Sequence, residues 1–393
     1  MARNHTNPIV RSSRERASMS APTNIVSSGS VKTLFSPIRV GPLTLSHRVV
    51  MAPLTRLRSQ IPGDVPVDLM AEYYGQRASE GGLIVSEGAT VSIGGRGYLG
   101  APGIYSEEQI AGWRRVTEAV HAKGGYIFLQ LWHVGRVSHV DMTNCEMPVA
   151  PSVVPFEGIV VTRNGFVPPS PHRALEIEEI PKLIGEFRKA AWNAKAAGFD
   201  GVEIHGANGY ILDQFLQDGT NKRTDSYGGP IQNRARLLFE VLDVTAAVWG
   251  EDRVGVRLSP NSTYNAMFDS DPEATFGYVA DRLNRYALAY LHVIEPRVKG
   301  IETVGEGQPP VASALLRKIY KGNILAAGGF DPASAEAIIE RNDADMVAFG
   351  RYFISNPDLP KRIQLGLPLN DYDRETFYNN DARGYTDYPF YDE

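Results

Sequence analysis

Three side chains within six positions carry the clearest chemistry in the chain. His205, Asn208 and Tyr210 lie in HGANGY, directly after an apolar run. A histidine and an asparagine three apart on a tight turn direct two N–H donors at one oxygen, and the tyrosine offers an acidic O–H beside them. Such a set holds an oxyanion and supplies a proton. A histidine that ends an apolar strand is also a common structural residue, so the motif alone leaves both readings open. A second signal is glycine-rich: AAGGF at 326–330 and AFGRYF at 348–353. Glycines there let backbone amides approach a ligand, a following helix start favours an anion, and Arg351 adds a planar cationic fork suited to phosphate. The plainer alternative is that these glycines turn the chain and Arg351 is a surface residue.

These residues sit at the ends of β-rich runs, and the runs recur. They are 48–55, 81–88, 126–132, 201–206, 254–260, 288–296, 323–329 and 344–351, near-continuously apolar with little alternation. That is the texture of strands buried on both faces of a parallel sheet. Helical segments lie between them. Ser106 is placed to cap one helix, and the stripe Ile180, Leu183, Ile184, Phe187, Ala190, Ala191 and Ala194 marks another. Asp271-Pro272, Asp331-Pro332 and Asn356-Pro357 each pair a capping side chain with a proline at a helix start. Further helices are expected over 68–80, 231–249 and 311–321. Eight strand–helix units predict a single (β/α)8 TIM barrel, although a doubly wound open sheet gives the same alternation. PIRVGPLTLSHR before the first run predicts an N-terminal hairpin plugging the barrel floor. The long stretch 133–178 after the third run predicts an insertion that caps the mouth.

In such a barrel the chemistry lies at the C-terminal strand ends. Here these ends carry Thr55, Glu87, Gln130 with Trp132, His205, Arg257, Glu295, Gly328 with Gly329, and Gly350 with Arg351. No lysine is among them, which argues against a Schiff-base aldolase. The fourth and seventh strands end in His205 and Gly328-Gly329 and so do not present the paired carboxylates of a barrel glycosidase. A metal site would have to be assembled from His205, Glu87 and Glu295, and none is expected. Gly95, Gly97 and Gly100 form a GxGxxG match that opens no helix, so a dinucleotide fold is not expected there.

Composition narrows the classes further. The 393 residues are 43% hydrophobic and carry a net charge of −5, which gives no basic field for nucleic acid or anionic lipid. No stretch approaches the roughly 18 apolar residues of a membrane span. The lone cysteine, Cys145, forms no internal disulfide. Residues 1–33 hold Arg3, Arg11, Arg14, Arg16 and Lys32 against Glu15, with seven serines. They are expected to be a disordered extension of a cytoplasmic protein, or alternatively a plastid or other organelle transit peptide. The barrel proper is then 34–393.

MAPLTRLRS (51–59), LQLWHVGR (129–136), HGANGYILDQFL (205–216), NKRTDSYGG (221–229), AFGRYFISNPDL (348–359) and DRETFYNNDARGYTDYP (373–389) closely resemble the old yellow enzyme family of FMN-dependent ene-reductases. The resemblance implies a barrel holding FMN noncovalently, reduced by NADPH or NADH. An activated alkene, namely an enone, enal, maleimide or nitroalkene, then takes the place of the nicotinamide. By that resemblance His205 and Asn208 bind the carbonyl or nitro oxygen, hydride passes from flavin N5 to the β-carbon, and Tyr210 protonates the α-carbon. It further implies FMN contacts at Pro53, Thr55, Ala89, Gln130, Arg257, Gly329, Gly350 and Arg351, and a substrate pocket lined by Trp132 and Tyr378. Thr55 stands where another branch has a flavin-tuning cysteine, which points to the yeast- and plant-like branch. Nitro compounds or nitrate esters as substrates, or an oxophytodienoate-reductase-like activity, use the same residues. A monomer or homodimer acting on small molecules is expected. The segment VSHVDMTNCEMPVAPS departs from the family pattern at the pocket rim.

Overall fold

The computed structural model describes residues 33–299, 302–303 and 312–391. All but the last residue of the expected N-terminal extension lies outside them. Eight strands form a closed parallel barrel in the circular order of the chain. They are β1 (Val49–Met51), β2 (Leu83–Thr90), β3 (Tyr126–Trp132), β4 (Gly201–Gly206), β5 (Val254–Leu258), β6 (Tyr290–Ile294), β7 (Ile324–Ala327) and β8 (Met346–Phe349). Closure occurs through β8 and β1, where Ala348 pairs with Val50, and it excludes the open sheet.

Successive side chains on each strand serve two different cores. Val49, Met51, Ile84, Ile127, Leu129, Val202, Ile204, Val254, Val256, Leu291 and Val293 face a large outer cluster shared with the helices. The alternate register, including Val50, Leu83, Val85, Phe128, Tyr290, Leu325 and Met346, faces an inner cluster. Continuous apolarity in the sequence is the sum of these two alternating sets. The inner cluster also contains Val40, Leu43 and Leu45 from an antiparallel hairpin of Ile38–Val40 and Leu43–Leu45. The hairpin therefore closes one end of the barrel, as its position before β1 predicts. Inside, glycines make room for rings: a Cβ on Gly201 would lie 2.4 Å from Phe128 Cζ, and one on Gly255 2.4 Å from Tyr290 Cε2.

The helices follow their capping signals with two exceptions. Ser106 accepts from Gln109 N–H and completes a capping box on Glu107–His121, a motif that stabilises by about 1 kcal/mol. Asp271 and Asp331 cap Pro272–Leu283 and Pro332–Glu340 in the expected way. The Asn356-Pro357 pair opens no helix. Asn356 Oδ1 instead accepts from the Asn370 backbone N–H at 2.7 Å, and the helix begins two residues past the pair, as Leu359–Leu365. The expected helix over 231–249 is broken at Ala235 into Ile231–Arg234 and Arg236–Trp249. The remaining expected helices appear as Asp68–Arg77, Ile180–Ala196 and Ser313–Ile319. Among the described residues no helix is long and apolar enough to cross a membrane.

Between β3 and the helix Ile180–Ala196 lie four short strands, of which Val160–Thr162 and Gly165–Val167 form a hairpin. Val160 packs with Leu57, Ala101, Trp132, Val134, Val137 and Tyr210 in a third apolar cluster. Residues 371–391 are tied down by arginines that follow β1 or lie on the first helix. Arg58 donates to the carbonyls of Thr376 and Phe377, Arg56 to those of Phe377 and Gly384, and Arg77 to that of Tyr385.

Candidate active site

The inward register of β3 to β6 is apolar low in the barrel and polar above. Phe128 is followed by Gln130 and Trp132, Gly201 by Glu203 and His205, Gly255 by Arg257, and Tyr290 by His292. Strand register aligns His205 with Arg257 and Arg257 with His292. One residue, His205, leads directly into the turn that ends β4.

That turn uses backbone that glycine and asparagine tolerate. Asn208 has φ 59° and Gly209 has φ 74°. A Cβ at Gly209 would come within 2.8 Å of Asn265 Cβ and Met267 Cγ, so only glycine fits. The Asn208 N–H donates to Ser259 Oγ at 2.8 Å, and its carbonyl accepts from Asn265 Nδ2 at 2.9 Å. The Gly209 N–H donates to Asp213 Oδ2 at 2.8 Å. Tyr210 then occupies the N-cap position of the short helix Ile211–Leu216 without capping it through its side chain.

Three rings converge above the turn. The His205 and Tyr210 centroids are 5.0 Å apart, as are those of Trp132 and Tyr210, both edge-on. Trp132 and His205 lie nearly parallel at 6.3 Å. Burial, with Arg257 and His292 adding to it, lowers the His205 pKa well below its ordinary value. The imidazole is neutral at pH 7 and offers one N–H donor and one acceptor. Burial, reinforced by Tyr98 and Tyr264, pushes the Tyr210 phenol well up, so it keeps its proton. His205 Nδ1, Trp132 Nε1 and Arg257 Nε are buried and have no hydrogen-bond partner. Buried polar atoms left in this state at a barrel mouth are open to a ligand or to water.

The other expected contacts lie on the same rim. Strand β1 stops at Met51, earlier than the run 48–55 suggests, because Pro53 to Thr55 leave the ladder after Ala52 donates to Phe349 O. Pro53 and Thr55 thus occupy a loop. Ala89 is not in a loop: β2 continues to Thr90 past a register shift between Val85 and Gly88, and Ala89 belongs to the outer core. Only its backbone is left for a ligand. Gly328 and Gly329, after β7, have φ of 113° and 68°, backbone suited to glycine. Gly350 and Arg351 follow β8, where the helix runs only from Arg351 to Ser355, and Arg351 reaches Tyr372 Oη at 3.4 Å. Tyr378 is 37% exposed and close enough to raise the Tyr98 and Tyr210 phenols further.

Two strand-end carboxylates are engaged elsewhere. Glu87 accepts from the Arg56 N–H and from Tyr74 Oη, and Glu295 accepts from the Ser313 N–H at a helix start. Neither joins His205. Conversely, sequence reasoning missed Tyr98, which stacks on Trp132 at 5.5 Å and 13° with its hydroxyl 3.4 Å from that of Tyr210. It belongs to the GxGxxG match set aside above, where an aromatic among glycines was the available signal. Asp213, Ser259, Glu203 and His292 were also missed.

A (β/α)8 barrel whose C-terminal rim joins unpartnered buried nitrogens, a protonated phenol and glycine-rich strand ends has the layout of a barrel enzyme. The sequence profile of the NADH:flavin oxidoreductase / NADH oxidase family matches residues 33–370. 12-Oxophytodienoate reductase 1 of Oryza sativa subsp. japonica is 46% identical over 378 residues, which is 95% of this chain and 97% of the relative. Flavin oxidoreductase hxnT of Emericella nidulans is 44% identical over 381 residues, covering 92% and 98%. Among solved structures, morphinone reductase in complex with tetrahydroNAD superposes with a TM-score of 0.85 at 49% identity, covering 91% of this chain and 98% of that one. The old yellow enzyme homologue from Zymomonas mobilis gives 0.87 at 44% identity, covering 91% and 99%. The chain belongs to the NADH:flavin oxidoreductase / NADH oxidase family, and it is an FMN-dependent oxidoreductase of the old yellow enzyme type.

Proposed function

We propose that the protein is an ene-reductase that saturates the activated C=C bond of enones, enals, maleimides or nitroalkenes. The observation that carries this reading is the convergence of His205 and Tyr210 on Trp132, with His205 Nδ1 buried and unpartnered beside a turn that presents Asn208. FMN, when bound, would supply hydride chemistry for the β-carbon, with NADPH or NADH as its reductant. His205 and Asn208 donate to the substrate's carbonyl or nitro oxygen and stabilise the negative charge that develops there. Tyr210, protonated through its burial, places a proton on the α-carbon. Trp132 walls the pocket and excludes bulky substituents, and Tyr378 borders the opening.

Pro53, Thr55, the Ala89 backbone, Gln130, Arg257, Gly329, Gly350 and Arg351 hold the FMN in this reading. Arg257 keeps its charge at any working pH and suits an electron-rich ring edge that gains negative charge on reduction. The glycines and Arg351 suit the phosphate. Residues 34–393 constitute the barrel, with 133–178 as its cap, a role supported by the packing of Val160 on Trp132 and Tyr210. The enzyme works as a cytoplasmic monomer or homodimer. An oxophytodienoate-reductase-like activity is a second reading, supported by relatives of that name at 46% identity. Reduction of nitro compounds would use the same clamp.

The test is the absorbance of the purified chain. Bound FMN gives yellow bands, and titration with a phenol adds a long-wavelength band as the phenolate enters the clamp. A colourless protein that takes up no added FMN would refute the reading.

A further inference from the structure

Beneath the clamp, the polar layer of the barrel contains a buried carboxylate that the reaction does not use. Glu203 is 0% exposed, on the inward register of β4. Its Oε1 accepts from Gln130 Nε2 at 2.7 Å, and its Oε2 lies 2.7 Å from His292 Nδ1, itself fully buried. A carboxylate at this depth is costly unless paired and hydrogen-bonded. Here burial, which raises the carboxyl, is outweighed by His292, Arg257 and Gln130, and the group is held below its ordinary range. Burial, with Arg257 adding to it and the Glu203 carboxylate opposing it, lowers the His292 pKa. The pair is therefore a carboxylate and a neutral imidazole donating through Nδ1. Its Nε2 has no partner.

An ionised carboxylate only accepts, so it fixes which way the Gln130 amide faces. The NH2 group must point at Glu203, and the oxygen must point away. In the structure Gln130 Oε1 lies toward β2, 3.2 Å from where a Cβ on its ladder partner Gly88 would sit. Arg257 is the cation of the same layer, and Glu203 is the anion that offsets it.

We propose that Glu203, anchored by His292, is a positioning residue for the flavin: it orients the Gln130 amide and tempers the Arg257 charge beneath the cofactor. The inference rests on the reading of Gln130 and Arg257 as FMN contacts. It assigns two roles to one side chain, one geometric and one electrostatic. The geometric role governs how tightly FMN is held. The electrostatic role governs how readily the flavin accepts electrons, because an Arg257 without its counter-charge stabilises the reduced, anionic ring more.

The experiment measures the FMN dissociation constant by fluorescence titration and the two-electron midpoint potential by dye equilibration, in the full chain. Glu203→Gln is expected to raise the potential, with at least a tenfold shift in the reduced-to-oxidised ratio, about 30 mV for a two-electron couple. It should also weaken FMN binding at least threefold. Gln130→Leu alone should weaken binding, and adding Glu203→Gln to it should cost nothing further in affinity while still raising the potential. Glu203→Asp keeps the charge but withdraws it by one methylene, so the potential should stay near wild type while affinity falls. A folded Glu203→Gln protein with unchanged potential and affinity overturns the proposal, as do additive affinity losses in the double variant. If Glu203→Gln does not fold, Glu203→Asp decides: unchanged FMN affinity overturns the positioning role. A wild-type chain that binds no FMN would instead sink the flavin reading itself, and this inference with it.

Discussion

Asp213 holds the turn after β4 that carries Asn208 and Tyr210, and its replacement separates hydrogen-bond geometry from charge. It is fully buried, accepts the Gly209 N–H at 2.8 Å and Gln217 Nε2 at 2.7 Å, and stands 3.5 Å from the Ser259 hydroxyl that accepts the Asn208 N–H. Asp213→Leu keeps the branched heavy-atom shape but strands two buried donors, the Gly209 amide and the Gln217 side chain. At about 1–3 kcal/mol for each stranded group, the loss is about 2–6 kcal/mol. Asp213→Asn keeps an oxygen for Gly209 and turns its NH2 toward Gln217. Gln217 can reverse its amide and accept, so the remaining loss is the charge assistance, about 1 kcal/mol. Burial pushes the Asp213 carboxyl up to about 7, so an uncharged substitute also escapes the cost of ionisation at pH 8. The assay is urea unfolding at pH 8 followed by far-UV circular dichroism, with phenol titration of the FMN-loaded variants as a report on the turn. Asp213→Leu should shift the midpoint strongly and weaken phenol binding, whereas Asp213→Asn should do little of either. Equal midpoints for the two variants would refute the reasoning, because the turn would then not depend on an acceptor at this position.

Two further outcomes follow from the site and its surroundings. Tyr210→Phe should leave flavin reduction by the nicotinamide intact and slow alkene reduction at least 100-fold, within the usual range for a lost general acid; equal slowing of both half-reactions would make the tyrosine structural. Burial raises the Glu87 carboxyl to about 7, above its unfolded value of 4.5. The folded state therefore binds the extra proton between those values, and this contribution to stability is full below pH 4.5 and lost as pH rises to about 7. Glu87→Gln should flatten the unfolding midpoint across that window, and an unchanged pH profile would contradict the assignment.

The barrel was legible because eight runs had to satisfy two cores at once, which leaves few polar residues to blur them. The hairpin plug was legible for a related reason: Val40, Leu43 and Leu45 alternate around a tight turn. His205, Asn208 and Tyr210 could be read because one turn supplies all three. What escaped was assembled across the chain. Tyr98 reaches Tyr210 from 112 residues away, and its neighbour Leu99 donates to Val161 O in the insertion. Glu203, Gln130 and His292 meet only because three strands are in register. The bulge in β2 that moves Ala89 into the ladder has no local signature, and Asn356 was drawn away from a cap by a backbone amide 14 residues later.

The arginines after β1 have a temporal meaning. Arg56 and Arg58 are buried, yet several of their acceptors are carbonyls between Thr376 and Gly384, more than 300 residues further along the chain. Until the ribosome has delivered that segment, the two guanidiniums keep only near neighbours, Tyr73 Oη for Arg56 and the Arg56 carbonyl for Arg58, and water takes the place of the distant carbonyls. The rim that carries Thr55 thus reaches its final packing only once residues 376–384 have been delivered.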